Sequence, residues 1–265
     1  MTSPRSPRLI GHRGAAAERP ENTMVSFERA LEIGVDVLET DVHQTGDGHI
    51  VISHDATGMR AAGVDRAIAQ CSLAEVQTWD AGSTFVDPEG KRSFAGRGIR
   101  IPTLAELLAA AQDVRLNLDI KPPNPGMVGP VLALLDRFGA AERVTLASFH
   151  RAVIRAVRSR GFAGQTVLCR DEVLALLALP ERWLGWLGVS GERLQIPVRA
   201  GPIRLASRRF IDRCHRLGLA VDYWTVNDPI AAEVLLHRGA DGVMTDDPAA
   251  IKPVFERFGR QRLPG

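Results

Sequence analysis

Short runs of Val, Ile and Leu alternate along this chain with longer segments whose apolar residues return every three or four positions. That alternation predicts strand, helix, strand units laid around a parallel sheet. The predicted strands are residues 8–12, 37–44, 50–54, 114–120, 144–148, 166–169, 194–197, 220–226 and 242–245. Helical spacing covers 24–33, 104–112, 127–138, 151–160, 172–179, 207–217 and 230–238. The helix ends are marked: the Thr23 hydroxyl caps the first, Gly34, Gly139, Gly161, Gly218 and Gly239 follow helices, and Thr103 with Glu106 forms a capping box. Nine strands exceed an eightfold barrel by one, and the Thr45-Gly46-Asp47-Gly48 turn accounts for the surplus by joining the second and third as a hairpin. The expected fold class is therefore α/β, a TIM-type (β/α)8 barrel forming one domain over residues 1–265. The Gly-rich stretch 57–98 is too long and irregular for an ordinary connection, so it reads as a small insertion after the third strand, spanning about 56–100.

Length and composition agree with one large core: 265 residues, 45% hydrophobic and 24% charged, exclude a disordered chain. No apolar run approaches the ~20 residues of a bilayer span, and the first eight residues lack the apolar stretch of a secretory signal. A cytoplasmic location is expected. Cys71, Cys169 and Cys214 have no CxxC spacing, which argues against a disulfide framework or a zinc site. The arginines of 199–216 and of the tail 257–262 are not interleaved with aromatics, so they read as solvated helix faces and a frayed end, and no nucleic-acid partner is expected.

Candidate chemistry changes the picture most. In a barrel of this kind reactive groups stand at the carboxyl ends of strands, and His12, His54, Asp119, Lys121 and Ser148 all fall there. Glu39 and Asp41, two apart on one strand, leave the same face. Their like charges repel and resist burial unless a cation intervenes. With Asp119 they make a three-carboxylate set that favours a hard cation, Mg²⁺ or Ca²⁺, over zinc, with Mn²⁺ left open. His12 and His54, each beside a charged neighbour, form a pair able to share general acid and base duty. Arg13 offers a planar fork for two phosphate oxygens and Lys121 a compact charge, though both can also neutralise nearby acids. Glu21 and Asn22 sit where a helix begins, which leaves capping and metal or substrate contact as alternatives. The remaining histidines, among them His43, read as surface or structural.

The chain resembles the glycerophosphodiester phosphodiesterases. The resemblance rests on His12-Arg13-Gly14 with Pro20-Glu21-Asn22-Thr23, Glu39-Thr40-Asp41-Val42, His54-Asp55, Ile101-Pro102-Thr103-Leu104, Asn117-Leu118-Asp119-Ile120-Lys121, Ser148-Phe149, Trp224-Thr225-Val226-Asn227 and Gly242-Val243-Met244-Thr245-Asp246. It implies a single catalytic TIM-type barrel that hydrolyses small-molecule glycerophosphodiesters to sn-glycerol 3-phosphate and an alcohol. It further implies a divalent ion on Glu39, Asp41 and Asp119 with Glu21 nearby, phosphate contacts from Arg13 and Lys121, His12 and His54 as acid and base, and Trp224 on the glycerol side. Family members commonly carry Glu where this chain has Asp119, and the missing methylene withdraws the carboxylate by ~1.5 Å. Metal contact there runs through water, or the ion lies closer to the strand. Two rival readings stand beside this one. The first is a phospholipase D-like activity on lysophospholipids or sphingolipids, with the apolar stretch 174–187 (Trp183, Trp186) touching membrane or serving as a barrel helix with an aromatic anchor. The second is a silent barrel that senses glycerol phosphates.

Overall fold

The computed structural model describes residues 6–184 and 189–262. Eight parallel strands form the barrel wall: β1 (Arg8–Gly11), β2 (Val37–Gln44), β4 (Arg115–Ile120), β5 (Val144–Ala147), β6 (Gln165–Thr166), β7 (Arg193–Pro197), β8 (Ala220–Trp224) and β9 (Gly242–Thr245), in the order β6-β5-β4-β2-β1-β9-β8-β7. A parallel bridge between Val167 and Arg193 joins the two ends of that path. The surplus strand β3 (Ile50–Ile52) pairs antiparallel with β2, as the Asp47-Gly48 turn predicts, and Gly48 takes the positive φ of 93° that such a turn requires. His54 lies beyond the end of β3 rather than in it.

Helices α1 (Met24–Ile33), α2 (Leu104–Ala110), α3 (Val128–Arg137), α4 (Arg151–Ser159), α5 (Arg170–Ala178), α6 (Arg208–Arg216) and α7 (Pro229–His237) follow the predicted segments within a residue or two. Their apolar stripes pack on the wall, and Leu9, Leu38, Leu116, Leu118 and Val243 are fully buried beneath them. The Thr103–Glu106 capping box is formed with both arms in place. The tail departs from expectation: in place of a frayed end, α8 (Pro248–Arg262) covers the barrel, because Ile251, Val254 and Phe258 recur on one face and are buried.

Residues 56–100 contain a short hairpin, Thr57–Gly58 against Val64–Ala67. They also carry a small apolar cluster in which Ile68, Val76 and Trp79 pack on Val51 and Ile101. The stretch 174–187 is not one helix, since α5 ends at Ala178 and a separate turn of helix occupies Glu181–Leu184. Trp183 is about half exposed and stacks under Arg182, so it does not anchor the barrel core. Trp186 and Leu187 lie outside the described residues. Among the described residues no helix is long and apolar enough to cross a membrane.

Candidate active site

The barrel geometry gathers distant residues at the carboxyl ends of its strands. β2 and β4 pair in a register that sets Glu39 against Asn117 and Asp41 against Asp119. Glu39, Asp41 and Asp119 are 4%, 1% and 7% exposed, so three carboxylates are buried within one patch of wall. Glu39 and Asp41 therefore face the buried interior and not solvent.

Protein cations neutralise part of this charge. Lys121 Nζ lies 2.9 Å from Asp41 Oδ1 and 2.7 Å from Asp119 Oδ2. Arg13 donates to Glu21 from NH1 at 2.9 and 3.1 Å and holds Nε 3.2 Å from Asp41 Oδ2. Each group titrates accordingly. Burial raises Glu39, and the nearby Asp41 charge raises it further, to about 8. Burial pushes Asp41 the same way, but Lys121 and Arg13 outweigh it and hold Asp41 below the ordinary carboxylate value. Asp119 is raised by burial in spite of Lys121. Burial works against the Lys121 charge, yet Asp119 and Asp41 lift its ammonium to about 12. Asp119 Oδ1 is buried with no hydrogen-bond partner, a costly condition for a carboxylate oxygen.

The turn between β1 and α1 is shaped to serve this cluster. Arg13 and Asn22 both adopt a left-handed backbone, each with φ near 55°, a conformation that non-glycine residues hold only where surrounding contacts fix it. The contacts are visible. The Arg13 amide donates to Glu39 Oε2 at 3.0 Å, while Asn22 donates to Asp41 Oδ2 at 2.9 Å and accepts from Thr40 Oγ1 at 2.7 Å. Thr23, not Glu21 or Asn22, caps α1, so the capping alternative for those two residues is replaced by contacts inside the cluster.

Each imidazole is backed by a carboxylate. His12 Nδ1 lies 2.5 Å from Asp246 Oδ1, and His54 Nδ1 lies 2.6 Å from Asp55 Oδ1. An ionised carboxylate only accepts, so this network assigns the proton to Nδ1 and leaves Nε2 of each ring for chemistry. Burial lowers His12, but the Asp246 hydrogen bond and the Glu39 charge prevail and its pKa is raised. Asp246 is itself held by Asn227 Nδ2 at 2.9 Å. The structural reading of His43 holds: it is buried, and its Nε2 lies 3.2 Å from the His54 carbonyl oxygen.

His12, Arg13, Glu39, Asp41, His54, Asp119, Lys121 and Trp224 all line one cavity of about 420 Å³. Glu21 borders a smaller cleft beside it, which His54 and Asp55 share. The opposite wall of the main cavity is apolar, built by Val167, Leu168, Val173, Leu177, Ile196 and Leu205. Trp224 packs edge to face on Phe149 with ring centres 6.5 Å apart. Sequence reasoning assigned no role to Asp246, which hydrogen-bonds His12, to Asn227, which holds Asp246, to Arg60, which pairs with Asp55 and Glu21, or to the apolar wall. Asp246 and Asn227 stand inside the motifs that carry the family resemblance, and that was their only signal. Among the described residues no three His, Cys, Asp or Glu side chains already converge as a ligand set, because Lys121 and Arg13 reach in between the acids.

Comparison with known proteins places this architecture. The sequence pattern of the "Glycerophosphoryl diester phosphodiesterase family" matches residues 12–250. The chain is 31% identical over 256 residues to a glycerophosphodiester phosphodiesterase of Caldanaerobacter subterraneus, covering 95% of this chain and 98% of the relative. It is 27% identical to human lysophospholipase D GDPD1, covering 94% of this chain and 86% of that one. An Oleispira antarctica phosphodiesterase solved in complex with the product sn-glycerol-3-phosphate superposes with a TM-score of 0.78 at 25% identity, covering 94% of this chain and 97% of that one. The chain belongs to the glycerophosphoryl diester phosphodiesterase family, and with it to the phosphoric diester hydrolases.

Proposed function

We propose that this protein hydrolyses glycerophosphodiesters to sn-glycerol 3-phosphate and an alcohol, with His12 and His54 as the acid and base pair. The observation that carries the reading is that two carboxylate-backed imidazoles and a buried acid cluster open onto one cavity. Arg13 and Lys121 bind the phosphate, and Trp224 flanks the glycerol. One imidazole accepts the glycerol 2-hydroxyl proton at Nε2 as that oxygen attacks phosphorus, and the other donates from Nε2 to the departing alcohol oxygen. Water then opens the cyclic phosphate with the two roles exchanged.

Glu39, Asp41 and Asp119, with Glu21 nearby, would hold the divalent cation, Mg²⁺ or Ca²⁺ with Mn²⁺ open. The donor set fits: all are oxygen ligands suited to a hard cation, and the unpartnered Asp119 Oδ1 is an atom that a cation would satisfy. When bound, the ion supplies Lewis-acid polarisation of a phosphate oxygen. Three cysteines, all buried and free, suit the reducing cytoplasm where we place the protein.

The apolar wall favours a second reading, phospholipase D-like hydrolysis of lysophospholipids, because glycerol alone leaves that wall in contact with water. One experiment addresses both readings. Phosphorus NMR with glycerophosphocholine and Mg²⁺ or Ca²⁺ is expected to show a new phosphomonoester, and His12→Ala or His54→Ala to cost roughly 100-fold or more in rate. Silence across head groups, with and without an acyl chain, overturns the assignment. A lysophosphatidylcholine turned over far faster than glycerophosphocholine moves it to the second reading.

A further inference from the structure

Both histidines are backed by an aspartate, but the two aspartates are steadied by different kinds of group. Behind His12, Asp246 is steadied by a neutral amide, Asn227. Behind His54, Asp55 Oδ2 accepts from Arg60 Nε at 2.5 Å, while Asp55 Oδ1 faces His54 Nδ1. The far end of the same guanidinium grips Glu21, with NH1 2.7 Å from Oε2 and NH2 2.8 Å from Oε1. Arg60 is supplied by the short helix Met59–Ala62 of the segment between β3 and α2. Thr84, from later in that segment, fixes the helix by donating to the Arg60 carbonyl at 2.6 Å and the Ala61 carbonyl at 3.0 Å.

We propose that Arg60 is a positioning residue for the reaction: through Asp55 it fixes the ring plane and tautomer of His54, and through Glu21 it locks the β1–α1 turn against the same side of the site. The physical basis is geometric. His54 and Asp55 are each about one-third exposed, so packing alone does not immobilise either side chain. A carboxylate left to water rotates, and the imidazole it accepts from then samples both tautomers. A planar guanidinium with three donors engaged on two different carboxylates removes that freedom, which a point charge cannot do with the same directionality. The segment 56–100 thereby reaches the chemistry through one side chain. The inference rests on the assignment of His54 as an acid or base under Proposed function.

Arg60→Ala tests it with two readouts. Turnover of a glycerophosphodiester is expected to fall roughly 10- to 100-fold, the usual cost of losing a group that orients a functional histidine, with the loss in kcat rather than KM. In ¹⁵N imidazole NMR on the holoenzyme and the metal-free protein, at a pH where the ring is neutral, wild-type His54 is expected as the Nδ1–H tautomer. Arg60→Ala is expected to show a mixture. Arg60→Lys restores part of the rate, and millimolar guanidinium restores part of it to Arg60→Ala, neither of which follows from a fold defect. Arg66→Ala, which removes an arginine of the same segment that pairs with Glu75, leaves both readouts at wild-type values. Should the alanine variant not fold, Arg60→Gln carries the same comparison. Wild-type kcat and an unmixed tautomer in an Arg60 variant overturn the proposal. A wild-type enzyme silent on every phosphodiester sinks the function assigned above instead, and the tautomer measurement then still decides for or against Arg60.

Discussion

At the scale of single residues, burial, the repulsion of neighbouring acids and the nearby cations together set the charge state of the acid cluster. Glu39, raised to about 8 by burial and by Asp41, keeps its proton in the folded protein over a range where the unfolded chain has lost it. Folding therefore takes up a proton between about pH 4.5 and 8, and stability falls as pH rises through that window, by up to ~1.4 kcal/mol per unit for one such group. The raised Asp119 and His12 act in the same direction, while the lowered His43 opposes them only below its ordinary value near 6.5. In chelator, Tm is expected to drop between pH 6 and pH 8. Mg²⁺ or Ca²⁺ binds the ionised carboxylates and is expected to raise Tm more at pH 8 than at pH 6. A Tm in chelator that climbs over the same interval contradicts this charge assignment. Part of the cluster was legible beforehand, because a two-residue spacing on one strand fixes a shared face whatever the rest of the chain does. The carboxylates behind the histidines were not equally legible. Asp55 adjoins His54, but Asp246 reaches His12 across 234 positions, and no local pattern encodes such a meeting.

At the scale of elements, the wall is held beneath the site by a buried ion pair as well as by its ladders. Arg193 on β7 donates to Asp222 on β8 with both nitrogens of its fork, Nε to Oδ2 at 2.8 Å, and both residues are nearly inaccessible. Gly242 opens β9 directly opposite Asp222 in the register, and a Cβ there would run into Asp222 Oδ1 and crowd Ile10. Gly242→Ala is expected to cost about 1–3 kcal/mol from overpacking, read as a lower urea midpoint with an unchanged slope. A midpoint equal to that of wild type would show that β8 gives way without cost. Strand positions were legible because strands buried on both faces read as short apolar runs, and helix positions because one buried face returns every three or four residues. The prediction weakened where that period is cut short or interrupted: β6 spans only Gln165–Thr166, and α8 holds Pro253 within it, so its apolar stripe was hidden by residues that ordinarily end helices.

At the scale of the molecule, the barrel is not uniformly closed, and the unevenness matches the division of its cavity. The strands that carry Glu39, Asp41 and Asp119, with β1, which ends one residue before His12, are joined by the long β2–β4 ladder and the β1–β2 pairing. A buried acid cluster needs that rigidity, because any loosening admits water and lets the side chains separate. The apolar wall instead straddles the seam between β6 and β7, where among the described residues Val167 and Arg193 make the single bridge. Side chains supplement that bridge. Glu192 Oε2 accepts from the Thr166 amide at 2.7 Å and from its hydroxyl at 3.2 Å, and Arg158 ties Thr166 Oγ1 to Glu172 on α5. Opening the seam breaks few backbone hydrogen bonds, so it is the least costly partial opening of the barrel. Hydrogen exchange is expected to run faster at Val167 and Leu168 than at Leu38 to Asp41. Glu192→Ala, which leaves the Thr166 amide without its acceptor, is expected to cost about 1–3 kcal/mol and to accelerate exchange at the seam alone. Equal acceleration in β1, β2 and β4 would mean that the barrel opens as one unit, and the acid cluster would then have no more rigid a frame than the apolar wall.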